Sequence, residues 1–338
     1  MEALAAVLAI ITAIGAACAT DSGPASAAIL TATDVGLRVV TTVSPITSLA
    51  ENIGGTRIAL EGIIPEVTNS HTFEPVPSVA RLLSQADIFI LNGLFLEEPS
   101  LQLAKANMKQ DAVILSLGDR AISPDEWIYD FSFPESGGSP NPHLWTDPIL
   151  ALKYAELIRD EFIRLDPDNS DYFAENFSRL RARIEDLDER IGAAIATIPE
   201  GNRKLLTYHD SFPHFGTRYG MEIIGAVQPS DFTELSARDV ANLIDQVRDE
   251  GVPAIFGSEV FPSPVMEQVA KESGARYIDE LRDDDLPGLP GDPRHTYLGL
   301  MVTNMEIMIP ALGGSVRALE GFDTGNVFEG ESGAKYPQ

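Results

Sequence analysis

Cysteine is almost absent from this chain of 338 residues, which contains only Cys18. A single cysteine excludes a disulfide framework, and it also excludes a thiolate cluster for zinc or iron–sulfur. Any metal site in this protein must therefore use histidine, aspartate or glutamate as ligands. The histidines are few enough to be placed one by one: His71, His143, His209, His214 and His295.

Basic residues are also scarce, since 24 Lys and Arg stand against 51 Asp and Glu and leave a net charge of −27. An anionic surface repels the phosphates of a nucleic acid, so nucleic acid is not expected as a partner. The same charge enriches cations near the protein.

Long apolar runs are missing apart from residues 4–14, which are too short to span a bilayer as a stable anchor. This run and the small residues that follow it predict a signal peptide over residues 1–18. It resembles a bacterial lipoprotein signal, in which Cys18 is lipidated, and an ordinary secretory signal is the alternative. Residues 19–36 are rich in Ala, Ser, Thr and Gly and predict a flexible tether. We therefore expect a periplasmic protein, or one at the extracellular face of the cell membrane with a lipid anchor on Cys18.

From residue 37 onward, short β-branched runs alternate with helical patterns. This rhythm predicts an α/β fold of two lobes with mostly parallel sheets. Apolar residues from Phe173 to Ile198 recur at steps of three and four, which predicts one long rigid helix between the lobes. A coiled-coil dimerisation helix is the competing interpretation. The predicted boundaries are 37–170 for the N-terminal lobe, 171–198 for the interlobe helix, 199–314 for the C-terminal lobe and 315–338 for a frayed tail.

Four potential metal ligands follow predicted strands or precede a capped helix. His71 lies in the loop after the second strand, and His143 lies just before the helix that Asp147 caps. His209 follows the strand LLTY, and Asp279 follows the strand predicted over ARYI. Because ligands of open α/β sheets bind at the carboxyl ends of strands, these four groups predict a tetrahedral His₃Asp site between the lobes.

A bland alternative applies to each of these residues, since a histidine in a loop is commonly a hydrogen-bonded structural residue. Asp279 alone could equally cap a helix or face solvent. His214 is expected to point away from His209, and His295 is expected to cap or pack against the last helix. The sequence contains no G-x-S-x-G, no phosphate-binding loop, no G-x-G-x-x-G and no H-E-x-x-H, which removes several enzyme classes.

Several motifs, in one order, resemble the cluster A-I solute-binding proteins, the metal-binding components of zinc/manganese ABC importers. The resemblance covers about residues 37–312. It rests on TTVSPITSLAENIGG, on SHTFEPVPSVARLLSQADIFILNGLFLE around His71, and on NPHLWTDP around His143. It continues with YHDSFPHFGTRYGM around His209, FTELSARDV at 232–240, and IDELRDDDLPG around Asp279.

The resemblance implies that His71, His143, His209 and Asp279 bind one divalent metal ion. Histidine as the third ligand is the zinc-type pattern, whereas many manganese-type members have Glu there, so Zn²⁺ is expected, with Mn²⁺ as the alternative. The implied partner is an ABC permease in the membrane, and the implied state is a monomer without enzymatic activity. Asn69-Ser70 replaces the usual Asp-Pro before the first ligand. The loop at 119–141 contains no histidine, so auxiliary metal capture by that loop is not expected.

Two other functions fit the same residues. A metal-dependent hydrolase could use this cleft, with Glu280 or Asp210 as its general base. A manganese-specific importer component or an adhesin could use the same fold.

Overall fold

The computed structural model describes residues 36–228, 235–258 and 263–338. The predicted signal peptide 1–18 with Cys18, and nearly all of the predicted tether 19–36, lie outside the described residues. Eight strands are present in the described part of the chain: β1 (Leu37–Thr41), β2 (Ile58–Gly62), β3 (Ile88–Leu91), β4 (Val113–Ser116), β5 (Lys204–Thr207), β6 (Glu222–Ala226), β7 (Ala254–Ser258) and β8 (Arg276–Leu281).

These strands form two parallel sheets of four strands each, with the orders β2-β1-β3-β4 and β6-β5-β7-β8. β1 pairs with both β2 and β3, and β5 pairs with both β6 and β7, so each sheet is built outward from its first strand. The central strand β3, Ile88–Leu91, is apolar and buried throughout, as expected where helices cover both faces of a parallel sheet. The predicted fold class of two parallel α/β lobes is confirmed.

The helices connect these strands and pack on their faces. Their bounds are α1 (Ser44–Gly54), α2 (Pro77–Gln85), α3 (Glu98–Asn107), α4 (Leu117–Ala121), α5 (Pro148–Leu165), α6 (Ser170–Ile195), α7 (Pro213–Tyr219), α8 (Ala237–Asp249), α9 (Pro264–Ser273) and α10 (Tyr297–Ala311). Among the described residues, no helix is long and apolar enough to cross a membrane.

The helix α6 is the predicted interlobe helix. It has 26 residues and is therefore about 39 Å long. Its apolar side, which includes Leu180, Ile184 and Leu187, is fully buried, while Arg and acidic residues occupy the exposed side. It packs against α1 and α5 of the first lobe and against α10, which follows the second sheet. One continuous hydrophobic core consequently extends from the first sheet across α6 into the second lobe.

The last segment of the chain is ordered, so the prediction that residues 315–338 fray is wrong. Lys335 pairs with the edge of β2, because Gly62 N donates to Lys335 O at 2.9 Å and Lys335 N donates to Leu60 O at 3.0 Å. The side chains of Ser332 and Tyr336 both donate to the buried Glu51 carboxylate. Hydrogen bonds to the first lobe hold this segment in place, although it has few apolar residues.

Candidate metal-binding site

Three imidazoles converge between the two sheets. The Nε2 atom of His71 lies 3.2 Å from that of His143 and 3.1 Å from that of His209, and the Nε2 atoms of His143 and His209 are 3.0 Å apart. Three nitrogens at tetrahedral positions around Zn²⁺, each about 2.0–2.1 Å from the metal, would be about 3.3 Å apart. The three histidines that the sequence singled out therefore have nearly the spacing that one metal ion requires.

The hydrogen bonds on the far side of two rings determine which nitrogen carries the proton. His143 Nδ1 lies 2.8 Å from Asn141 Oδ1, and His209 Nδ1 lies 2.6 Å from Gln228 Oε1. An amide oxygen only accepts, so each Nδ1 is the donor and each Nε2 carries a lone pair. Lone pairs 3.0 Å apart repel each other, and a cation between them removes that repulsion.

Burial keeps the rings of His71 and His143 neutral. Removal from water, followed by the nearby His209, holds the pKa of His71 well below its usual value of 6.5. Burial and the neighbouring His209 and His71 do the same to the pKa of His143. Since an imidazole must be neutral to bind a metal, these rings are ready to act as ligands near neutral pH.

Each histidine is held by a short local structure at the end of an element. His71 lies in a short 3₁₀ turn, Ser70–Thr72, and its backbone N–H donates to the Asn69 side chain. His143 directly precedes a 3₁₀ turn, Leu144–Thr146, which leads into α5. His209 follows β5, and Thr207 Oγ1 donates to the His209 carbonyl at 2.7 Å. The three histidines thus lie in short loops and turns that rigid elements support.

The structure does not bring Asp279 to this cluster. β8 continues to Leu281, so Asp279 lies on the strand with an exposed side chain instead of following the strand. Two buried carboxylates directly after β8 take its place. One ligand atom each of His143, Asp283 and Asp284 lie within 4.8 Å of one another, whereas Asp279 joins none of the possible metal-binding groups in the described part of the chain.

Asp283 already has hydrogen bonds on both carboxylate oxygens. Its Oδ2 accepts from Ser211 Oγ and lies 3.8 Å from His209 Nε2, and its Oδ1 accepts from the Asp284 backbone N–H at 3.0 Å. Its backbone carbonyl accepts from Trp145 Nε1 at 2.8 Å. Asp283 is therefore fixed in position next to His209.

Asp284 is satisfied on one oxygen alone. Its Oδ2 accepts from Ser70 Oγ, next to His71, while its buried Oδ1 has no hydrogen-bond partner among the described residues. Burial and the adjacent Asp283 raise the pKa of Asp284 well above its usual value. An unpartnered buried oxygen is costly unless a cation or a proton compensates it, which fits a metal ligand.

Aromatic rings shield the cluster from water. The Phe133 ring lies 5.6 Å from the His71 ring and 5.9 Å from the His143 ring, and Trp145 lies 5.2 Å from His143 on another side. A cavity of about 350 Å³, lined by Phe95 and Phe133 among others, reaches the cluster at His71. Phe133 belongs to the loop 119–141, which thus contributes a ring and not a metal ligand.

The remaining candidate residues lie elsewhere. Glu280 is exposed on β8, and Asp210 turns to Asp130 and accepts from the Ser132 N–H, so neither is arranged as a general base for the histidine cluster. His214 is buried in α7, with Nε2 3.4 Å from the Asn141 carbonyl. Thr296, and not His295, caps α10.

The fold has two lobes with a long helix between them, and it brings together buried nitrogen and oxygen atoms that could hold a divalent metal ion. These features are those of a metal-binding protein. Residues 39–311 match the family described as ZnuA, zinc-uptake complex component A, periplasmic, and the chain belongs to this family. It is therefore the metal-binding component of an ABC importer, which works with a membrane permease, and it is not an enzyme. The resemblance seen in the sequence is confirmed, and the hydrolase alternative is rejected.

The similar proteins differ in the metal that they are named for. The manganese-binding lipoprotein MntA of Halalkalibacterium halodurans is 30% identical over 82% of this chain and 89% of its own length. The iron-binding protein YfeA of Yersinia pestis is 26% identical over 82% and 86%. The solved structure of the periplasmic zinc-binding protein TroA of Treponema pallidum has a TM-score of 0.74 and 23% identity over 82% of this chain and 99% of that one, which shows the shared fold.

Proposed function

We propose that this protein captures Zn²⁺ outside the cytoplasm and delivers it to the ABC permease. The convergence of three imidazole Nε2 atoms within 3.2 Å of one another carries the proposal. A set dominated by neutral imidazoles suits a borderline-soft ion such as Zn²⁺. The zinc ion is the cargo of the protein.

The proposed ligands are His71, His143, His209 and Asp284. Asp284 replaces Asp279 in the predicted set because Asp284 Oδ1 is buried and has no hydrogen-bond partner among the described residues, whereas Asp279 is exposed. Asp283 sits beside the site as a second, hydrogen-bonded negative charge. Together the two carboxylates neutralise the charge of a divalent ion in a buried place.

Mn²⁺ is the second candidate cargo. Carboxylate oxygen suits Mn²⁺ better than imidazole does, and two carboxylates lie next to the histidines. The name of the MntA relative from Halalkalibacterium halodurans also favours manganese. The three imidazoles favour zinc, so we expect zinc to bind more tightly.

The proposed route to the cell surface begins with the signal peptide at 1–18. Lipidation of Cys18 would leave residues 19–36 as a tether between the membrane and the lobes, and the names of several relatives describe lipoproteins. The protein would work as a monomer that docks on the permease.

The direct test measures zinc and manganese affinity by competition with a chromophoric chelator. Wild-type protein should bind one equivalent of Zn²⁺ tightly, with Mn²⁺ weaker. His143→Ala should lose tight binding of both metals, whereas His214→Ala, which removes a buried histidine outside the ligand set, should keep the zinc affinity. Wild-type zinc affinity in His143→Ala, or tighter binding of manganese than zinc by the wild type, would refute the proposal.

A further inference from the structure

His295 is a buried histidine that lies outside the proposed cargo site. His295 is 4% exposed, and neither of its ring nitrogens makes a hydrogen bond of normal geometry to the described residues. The residue lines a cavity of about 490 Å³ between the loop that precedes α10 and the C-terminal segment of the chain. Buried polar atoms without partners are rare in proteins, and each needs an explanation.

A carboxylate faces this imidazole at a distance that suits a shared ion better than a hydrogen bond. His295 Nε2 lies 3.6 Å from Glu66 Oε1, which exceeds the hydrogen-bond range of about 2.7–3.2 Å. Around a tetrahedral Zn²⁺, a nitrogen at about 2.0 Å and an oxygen at about 2.1 Å would be about 3.4 Å apart. The observed gap is close to that spacing.

The other contacts of Glu66 hold the carboxylate in this orientation. Its Oε2 accepts from Gln338 Nε2 at 3.1 Å, and its backbone N–H donates to the Pro337 carbonyl at 3.1 Å. Its Oε1 accepts a long hydrogen bond of 3.4 Å from the Leu286 N–H. The end of the chain therefore fixes Glu66 against His295.

The electrostatic surroundings favour a cation. Burial lowers the pKa of His295, while the Glu66 carboxylate, a contact with the Pro287 backbone carbonyl, and the carboxylates of Glu51 and Asp292 act in the opposite direction. Among the described residues that line the cavity there is no Lys or Arg, but Glu51, Asp292 and Glu331 are present. A neutral imidazole with acidic groups around it is a suitable environment for a divalent metal ion.

We infer that His295 and Glu66 form a second Zn²⁺ site, separate from the cargo site, in which water from the cavity completes the coordination. With two protein ligands, this site binds zinc more weakly than the cargo site. A bound ion would link the loop after β2 to the loop before α10, directly beneath the C-terminal segment. Tyr336, whose ring lies 4.7 Å from the His295 ring, would cover the ion on one side.

The test is a calorimetric zinc titration of the whole chain after it has been loaded with one equivalent of Zn²⁺. The wild type should bind a second equivalent, and His295→Gln and Glu66→Gln should each weaken that second step at least about tenfold. Asp279→Asn, which removes an exposed carboxylate elsewhere, and Tyr336→Phe, which keeps the covering ring, should both retain it.

Thermal unfolding of each metal-free variant shows whether it is folded, and the two ligand variants provide independent evidence. Because His295 and Glu66 are outside the cargo site, the first equivalent should be unchanged in both, so a failure of the cargo proposal is visible separately as the lack of a tight first step. The inference is overturned if the wild type takes up no second equivalent. It is also overturned if folded His295→Gln and Glu66→Gln proteins retain the second equivalent, or if Asp279→Asn loses it equally.

Discussion

Replacing Asp284 by Asn should lower the zinc affinity and raise the stability of the metal-free protein at the same time. Asp284 Oδ1 is buried without a hydrogen-bond partner among the described residues, and Asp283 lies beside it, so this carboxyl group destabilises the metal-free fold. With metal bound, the same oxygen becomes a ligand. Removing one charge from a buried charged pair costs about 2–5 kcal/mol, which corresponds to about 30-fold to about 4,000-fold weaker binding.

Asn keeps the size of the side chain and one neutral oxygen, so we expect the lower half of that range. Relief of an unsatisfied buried group is worth about 1 kcal/mol, and in a chain of this size that raises the melting temperature of the metal-free protein by about 2 °C. Asp279→Asn is the matched control, because the structure places that carboxylate on the surface of β8.

Two measurements check the expectation. Chelator competition gives the zinc affinity of Asp284→Asn, Asp283→Asn and Asp279→Asn, and thermal unfolding in chelator gives the stability of each metal-free protein. The assignment of Asp284 is refuted if Asp279→Asn loses more affinity than Asp284→Asn. An unchanged affinity in Asp284→Asn with a large loss in Asp283→Asn would transfer the ligand role to Asp283.

Three further predictions follow from the same site and its surroundings. His209→Glu should narrow the preference for zinc over manganese, mainly by weakening the binding of zinc. Parallel titrations with both metals measure the ratio of the two affinities, and an unchanged ratio would mean that His209 is not a ligand. Gln228→Leu should lower the zinc affinity about 10–100-fold, because it removes the acceptor that orients His209. Gln228→Glu keeps an acceptor there and should retain most of the zinc affinity in the same assay. Burial lowers the pKa of His214 to about 4, so between about pH 6.5 and pH 4 the unfolded chain binds a proton that the folded chain does not. As the pH falls through that window, the free energy of unfolding should decrease by about 3 kcal/mol. Denaturant unfolding at pH 7.5 and 4.5 should show a smaller decrease in His214→Gln than in the wild type.

Local pattern was sufficient for most of the fold and for three of the proposed ligands. Alternating β-branched and helical segments predicted the strands of both sheets, and the histidines are recognisable because each lies in a connecting segment and not within a strand or α-helix. The end of β8 was placed too early because β8 is the edge strand of its sheet, so Asp279 and Glu280 are polar strand residues that resemble the start of a loop. Had the strand been extended to Leu281, Asp283 and Asp284 would have been the first acidic residues after it.

Contacts between distant parts of the chain were beyond the reach of local pattern. Phe133 covers the histidines from a loop that contains no histidine, and Gln228 orients His209 from the end of the neighbouring strand. The C-terminal segment is held by backbone hydrogen bonds to β2, which depend on no side-chain pattern. The low apolar content of residues 315–338 predicted fraying because a side-chain pattern carries no information about backbone pairing.

The proposed ligands His71, His143, His209 and Asp284 come from four loops that are far apart in the sequence, and this separation ties cargo binding to folding. An unfolded or partly folded chain cannot gather them, so the metal ion binds only to the folded chain. An ion bound by these residues would hold both lobes together, and at a free concentration 1,000 times its dissociation constant it would add about 4 kcal/mol to the free energy of unfolding. Unloading by the permease must supply that energy locally, because α6 and the shared core oppose a wide separation of the lobes. The protein would therefore be thermally weakest just after it has delivered its ion, and its resistance to protease should be lower in chelator than with saturating metal.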